Sequence, residues 1–202
     1  MAERQVHLRA DGRRHEPADR PVIRATIPAP VFWITGLSGA GKTTVAELLR
    51  ARLVAAGAPT VLLDGDRMRR VLGAETRHAP EDRRWLAGVY GRLCAELSGQ
   101  GLHVVCATIC MFREVYAWNR ANIAGYREIF LRVPLHERQR RDPKRLYAAA
   151  RDGQAGPMPG LDTRHDEPTA ADLVIDNHGA CSAESAADLI WRRLAVPVAA
   201  TG

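Results

Sequence analysis

The chain is poor in lysine: its 29 basic residues include only two lysines, Lys42 and Lys144, and the others are arginines. An ammonium group is a compact point charge and a guanidinium group is a planar fork, so the two do not replace each other at a tight phosphate site. We therefore expect both lysines to have a purpose that arginine cannot serve. The shortage also argues against a GTPase, because the guanine-reading motif Asn-Lys-x-Asp needs a lysine and neither lysine has those neighbours.

Long apolar runs and paired cysteines are missing too. No apolar run approaches the ~18 residues of a membrane span, so we expect no association with a membrane. The four cysteines include no Cys-x-x-Cys pair, which is typical of reduced thiols in a cytoplasmic protein. A net charge of +6 without a basic stripe, and with 5% aromatic residues, favours small anionic ligands over nucleic acid.

The clearest motif is Gly36-Leu-Ser-Gly-Ala-Gly-Lys-Thr-Thr44, which fits the pattern of a phosphate-binding loop (P-loop). An apolar run at residues 31–35 predicts a strand before it, and apolar residues at helical spacing follow it. Lys42 can reach the outer phosphates of ATP, and the Thr43 hydroxyl can hold Mg²⁺. The residues expected to bind ATP are Gly36, Ser38, Gly39, Ala40, Gly41, Lys42, Thr43 and Thr44.

Strand and helix patterns alternate along the chain. Strands are predicted at residues 31–35, 60–64, 102–107, 128–133 and 173–177, and helices after the P-loop and at residues 81–97, 113–122, 134–153 (interrupted at 142–143) and 182–194. This predicts an α/β P-loop kinase fold, a parallel five-stranded sheet with helices on both faces, and ligands at the carboxyl ends of the strands. Residues 1–29 are predicted to be a flexible arm without a signal sequence, residues 30–198 the kinase domain, and residues 138–170 approximately its lid.

Two carboxylates follow the second predicted strand in Asp64-Gly-Asp66. Phosphoryl transfer needs one carboxylate near the attacking hydroxyl and another on the metal side. We expect Asp64 to act as base or metal-side carboxylate and Asp66 to orient the acceptor; the alternative is an ordinary polar turn. Asn177 ends the fifth strand at the same edge and is expected to contribute to ATP binding.

Basic residues crowd the start of the predicted lid: Arg138, Arg140, Arg141 and Lys144. A lid that closes over ATP can offset charge that develops on the transferring phosphoryl group. We expect Arg141 and Lys144 to act in this way. The alternative is a solvated helical face.

Five stretches carry a resemblance to a known family: Trp33-Ile-Thr-Gly-Leu-Ser-Gly-Ala-Gly-Lys-Thr-Thr44, Leu63-Asp-Gly-Asp66, Asp82-Arg83, Arg141-Asp-Pro-Lys-Arg-Leu-Tyr147 and Val174-Ile-Asp-Asn177. Over about residues 31–194 the chain resembles adenylyl-sulfate (APS) kinases, which phosphorylate the ribose 3′-hydroxyl of APS with MgATP. The resemblance implies that Arg69 and Arg83 contact anionic groups of the substrate and that Lys144 belongs to the site.

The acceptor side departs from that family's pattern. Two aromatic residues that hold the adenine of APS are replaced by His78 and Met158, and an expected Asn is Leu86. Where the family has Ile-Ser-Pro-Tyr-Arg, this chain has Ile-Cys-Met-Phe-Arg at residues 109–113. We expect Cys110, Phe112 and Arg113 to bind the acceptor. Residues 109–123 also resemble a subgroup that includes kinases acting on cytidine diphosphoramidate in surface-polysaccharide pathways.

The sequence thus predicts an ATP- and Mg²⁺-dependent kinase that phosphorylates a hydroxyl, expected to be a ribose 3′-hydroxyl, of a small nucleotide-type metabolite. The alternatives are a kinase for cytidine diphosphoramidate, a non-catalytic ATP-binding regulatory protein and a nucleic-acid kinase. The oligomeric state stays open, with a homodimer as one alternative.

Overall fold

A five-stranded parallel sheet forms the centre of the computed structural model, which describes residues 27–76, 79–142, 145–151, 161 and 164–195. The strands are β1 (Val31–Thr35), β2 (Thr60–Asp64), β3 (His103–Thr108), β4 (Tyr126–Arg132) and β5 (Leu173–Asp176). Their order in the sheet is β2-β3-β1-β4-β5, with β1 paired to β3 on one side and to β4 on the other. The predicted α/β fold and its five parallel strands are confirmed.

Helices cover both faces of the sheet. They are α1 (Lys42–Ala55), α2 (Gly65–Val71), α3 (Pro80–Gly99), α4 (Arg113–Asn122), α5 (Leu135–Arg141), α6 (Leu146–Arg151) and α7 (Ala183–Leu194). Among the described residues, none of these helices has the length and apolar character needed to cross a membrane.

The alternation of side chains along β1 explains why two separate cores form. Phe32 and Ile34 point to the face covered by α1 and α7, and Val31 and Trp33 point to the face covered by α3 and α4. All four are fully buried. Because successive side chains of a strand alternate between faces, a short run that is apolar throughout must be covered on both sides.

One element was not predicted. The Asp64-Gly-Asp66 stretch, for which an ordinary polar turn was the alternative to a functional role, begins helix α2. Its cause is Asp64 itself, whose Oδ1 accepts hydrogen bonds from the backbone N–H groups of Asp66 and Arg67 at 3.1 and 3.2 Å. Aspartate is among the strongest N-capping residues, and here the cap starts a helix directly at the end of β2.

The break predicted at Asp142 is present between α5 and α6. The Asp142 carboxylate accepts from the backbone N–H groups of Tyr147 and Ala148 at 3.2 and 3.0 Å, so it starts α6. Lys144 and His78 lie outside the described residues, as do Met158, residues 152–160 of the predicted lid and residues 1–26 of the predicted arm. Ala29 is buried, and its N–H donates to Ser98 O at 3.0 Å.

A cavity at the centre of α1 should destabilise the domain strongly. Leu49 is fully buried between the sheet and α7, so we expect Leu49→Ala to lower the free energy of unfolding by about 2–5 kcal/mol. Val54, on the same helix, is 48% exposed, and Val54→Ala should change stability by less than about 0.5 kcal/mol. Urea unfolding of both variants measures this difference, and equal losses would contradict the position of the core.

Candidate active site

The P-loop turns between β1 and α1 through three glycines with positive φ, Gly36 at 149°, Gly39 at 79° and Gly41 at 84°. L side chains rarely adopt this conformation. Lys42, the first residue of α1, donates from Nζ to Leu37 O at 2.9 Å. The ammonium group therefore lies against the backbone of the loop that is expected to hold the phosphates.

Asn177 and Arg141 support the P-loop. The Asn177 side chain is buried and donates from Nδ2 to Ala40 O at 2.8 Å. Arg141 donates to Asn177 O at 2.8 Å and to Gly39 O at 3.4 Å. The structure thus brings together the two residues predicted on the ATP side from distant parts of the sequence, and both contact the backbone of the loop.

Two other basic residues at the start of the predicted lid have partners within the protein. Arg138 is 5% exposed and donates to Val133 O and to the Tyr147 hydroxyl. Tyr147 in turn donates to Ser38 O at 3.0 Å, so the buried pair of Arg138 and Tyr147 supports the backbone of the P-loop. Arg140 forms an exposed ion pair with Glu137. Neither residue was among those expected to act on the transferring group, and the exposed Arg140 fits the alternative of a solvated helical face.

The two residues predicted to hold Mg²⁺ lie in contact. Thr43 Oγ1 donates to Asp64 Oδ2 at 2.7 Å, and Asp64 is only 6% exposed. Hydroxyl and carboxylate oxygens are hard ligands of the kind that Mg²⁺ takes. Within the described ranges, no group of three His, Cys, Asp or Glu side chains is arranged for a metal ion.

The acceptor-side predictions fall on three neighbouring elements. Arg69 lies on α2, Arg83 lies on α3, and Cys110 and Phe112 lie in the loop between β3 and α4. Burial raises the pKa of Cys110 to about 11, while its hydrogen bond with Thr108 and the positive charges of Arg69 and Lys42 act in the opposite direction. The Cys110 thiol is therefore protonated at neutral pH, which makes it a weak nucleophile.

Two further residues contact the loop between β3 and α4 or the start of α4, and the sequence analysis did not single them out. The Arg84 guanidinium lies 5.3 Å from the centre of the Phe112 ring and pairs with Glu114. Asp166 accepts a hydrogen bond from the N–H of Arg113, the first residue of α4. No sequence pattern singles them out, since Arg84 looks like a solvated neighbour of Arg83 and Asp166 lies 53 residues from its partner.

The family model for adenylylsulphate kinase matches residues 29–176, most of the chain. The chain belongs to the adenylylsulphate kinase family. It is 36% identical over 169 residues to cytidine diphosphoramidate kinase of Campylobacter jejuni, an alignment that covers 82% of this chain and 96% of that protein. It is 40% identical over 147 residues to adenylyl-sulfate kinase of Paraburkholderia xenovorans, covering 72% and 82%.

Solved structures show the same relationship. The APS kinase CysC of Mycobacterium tuberculosis, in complex with AMPPNP and APS, superimposes with a TM-score of 0.77 and 31% identity, covering 83% of this chain and 98% of that one. The protein described here is therefore, like other members of the adenylylsulphate kinase family, an ATP-dependent phosphotransferase that acts on an alcohol group.

Gly41 offers a direct test of the ATP side. A Cβ at Gly41 would lie 2.9 Å from Asn177 Nδ2, and the residue has a φ of 84°. We expect Gly41→Ala to weaken ATP binding about tenfold or more, since each ~1.4 kcal/mol lost is a factor of ten in affinity. Titration calorimetry with ATP measures the change.

Gly57 is the matched control, because its φ is 82° and a Cβ there meets nothing within 4 Å. Gly57→Ala therefore carries the backbone strain alone and should lower the melting temperature without affecting ATP affinity. An equal loss of ATP affinity in the two variants would contradict the role assigned to the contact between Gly41 and Asn177.

Proposed function

We propose that this kinase transfers the γ-phosphate of ATP to a ribose 3′-hydroxyl of a small nucleotide-type acceptor, as an adenylyl-sulfate kinase does. The observation that carries the proposal is the contact between Thr43 and Asp64, which joins the P-loop to the end of β2. From there the chain leads straight into α2, which carries Asp66 and Arg69. An ATP site and an anion-binding acceptor site therefore meet at one edge of the sheet.

On the ATP side, the P-loop backbone and Lys42 would hold the phosphates. Thr43 and Asp64 would hold Mg²⁺, which supplies neutralising charge to the β- and γ-phosphates when bound. Arg141 donates hydrogen bonds to Gly39 O in the same loop and to Asn177 O. With Lys144, it would offset the charge that develops on the transferring group.

The two carboxylates would divide the remaining work. Asp64 Oδ1 is engaged by the start of α2 and Oδ2 by Thr43, so the carboxylate has a single fixed orientation. This favours the metal-side role of Asp64 over that of a mobile base. Asp66, exposed in the first turn of α2, would orient the attacking hydroxyl.

On the acceptor side, positive charge would bind the anionic part of the substrate. Arg69 and Arg83 are half-buried, and Arg113 is exposed at the start of α4. Planar guanidinium groups bind phosphate and sulfate-like oxygens in a bidentate way, which fixes both position and orientation. Cys110 and Phe112 would line the same acceptor side.

Changes at Lys42 and Asp64 should separate binding from transfer. Lys42→Ala should abolish turnover, and Lys42→Arg should not restore it, because a guanidinium is wider than an ammonium group. Asp64→Asn keeps an oxygen that can cap α2, so we expect a fold and an ATP affinity close to those of the unaltered protein. Its kcat should fall about 100-fold or more.

Steady-state kinetics with radiolabelled γ-phosphate, and calorimetry with ATP, measure these effects. Asp66→Asn serves as the comparison, because it removes a neighbouring carboxylate that is not at the N-cap position of α2. It should raise the KM for the acceptor more than it changes ATP affinity. Full activity of Asp64→Asn would remove Asp64 from its proposed role.

A second candidate acceptor is cytidine diphosphoramidate. The alignment to the Campylobacter jejuni kinase for that compound covers 96% of that protein. The acceptor side also differs from the APS-binding pattern. Leu86, which stands where that pattern has an Asn, is a residue of α3 that is fully buried in the core. Arg84 lies over Phe112 at the rim, where a base could stack.

A parallel assay with APS, with cytidine diphosphoramidate and with no acceptor distinguishes the two candidates. Label on APS would support the first proposal. Label on the cytidine compound alone would assign the changed acceptor side to a change of substrate. Tight ATP binding without transfer to either compound would contradict both acceptors and favour a non-catalytic relative.

A further inference from the structure

Among the described residues between α6 and β5, Asp166 forms three hydrogen bonds with the chain around the loop between β3 and α4. Its carboxylate Oδ2 accepts from the N–H of Arg113 at 3.0 Å, and its own N–H donates to Met111 O at 3.0 Å. Its carbonyl oxygen accepts from the Tyr116 hydroxyl at 3.3 Å. All three bonds go to residues 111–116, that is, to this loop or to the first turn of α4.

Helix α4 depends on this contact because it lacks a capping side chain of its own. The residue at its N-cap position is Phe112, which has no oxygen to offer. The first N–H groups of a helix have no partner within the helix, and a negative charge beside them is favourable. Asp166 supplies the acceptor from 53 residues away in the sequence, and its charge adds to that of Glu114 in the first turn of α4.

The loop that Asp166 holds is the one expected to line the acceptor site. Cys110 and Phe112 lie in it, on either side of Met111, whose side chain is 2% exposed. Buried Met111 anchors the middle of the loop in the core. Two of the hydrogen bonds of Asp166, those with the backbone of Met111 and Arg113, hold the same stretch of chain. The positions of Cys110 and Phe112 therefore follow from where Asp166 lies.

We propose that Asp166 is a positioning residue for the acceptor: it fixes residues 109–113 and so sets acceptor affinity without taking part in ATP binding. The inference rests on the proposed function, because it assumes that this loop faces the acceptor. It assigns to Asp166, in the segment after α6, a part in substrate recognition.

Asp172, six residues further along the same segment, is a matched control. Its Oδ2 also accepts from a distant backbone N–H, that of Glu128 at 2.7 Å, and it pairs with Arg120. These partners lie on β4 and near the end of α4, away from the β3–α4 loop. A general loosening of the segment should therefore follow from either change, whereas displacement of the loop should follow only from a change at Asp166.

The experiment compares Asp166→Ala, Asp166→Asn and Asp172→Ala with the unaltered protein. We would measure the KM for ATP and the KM for the acceptor, which is whichever of APS and cytidine diphosphoramidate is phosphorylated. We expect Asp166→Ala to raise acceptor KM about fivefold, which corresponds to about 1 kcal/mol, with the KM for ATP unchanged. Asp166→Asn, which keeps an acceptor oxygen, should restore most of the affinity, and Asp172→Ala should leave acceptor KM unchanged.

Amide hydrogen exchange in the ligand-free protein gives a readout that does not depend on activity. Asp166→Ala should speed exchange in residues 111–116 and leave the first turns of α1 unaffected, whereas Asp172→Ala should not speed it there. If neither acceptor is phosphorylated by the unaltered protein, the proposed function fails, and the exchange comparison still decides whether Asp166 fixes the loop. Unchanged exchange at residues 111–116, or an equal rise of both KM values, would overturn the inference.

Discussion

The Asp64 carboxylate is the group on which the candidate site depends most. One of its oxygens starts α2 and the other accepts from Thr43 at the start of α1. A nearly buried carboxylate is costly unless its oxygens have partners, and here each oxygen has at least one. The same side chain therefore fixes the distance between the ATP loop and the helix that leads to the acceptor side. A change at this position acts on the fold and on the chemistry together unless the new residue keeps the cap.

Much of the fold could be predicted from the sequence because its signals are local. Residues 31–35 and 60–64 were predicted as strands with their observed bounds. Helix α4 was also predicted with its observed bounds. Apolar runs and helical spacing act over a few residues, so they can be identified without knowledge of the fold. Helix α2 was missed because an Asp-Gly-Asp sequence is also good turn chemistry, and the same capping bond can begin either structure.

The ATP side of the candidate site could also be predicted, since its motif is contiguous, whereas the supports of that motif could not. Tyr147 donates to Ser38 O from 109 residues further along the sequence, and Arg138 in turn donates to the Tyr147 hydroxyl. A buried arginine cannot be told from a solvated one in a basic segment, because the difference lies only in what packs over it. Asp166 was missed for the same reason. The sequence shows which residues carry suitable chemistry, while their pairing depends on the crossing of distant chain segments.

The strand order has a consequence for how such a kinase can diversify. Strand β1 lies in the middle, and the elements that support the P-loop from β4, β5, α5 and α6 lie on one side of it. The elements expected to bind the acceptor follow β2 and β3 on the other side. Substitutions in the elements expected to bind the acceptor can therefore accumulate while the contacts of Asn177, Arg141 and Tyr147 with the P-loop stay intact. A family built on this plan can change what it phosphorylates and keep how it holds ATP, and this agrees with relatives that carry the names of two different acceptors.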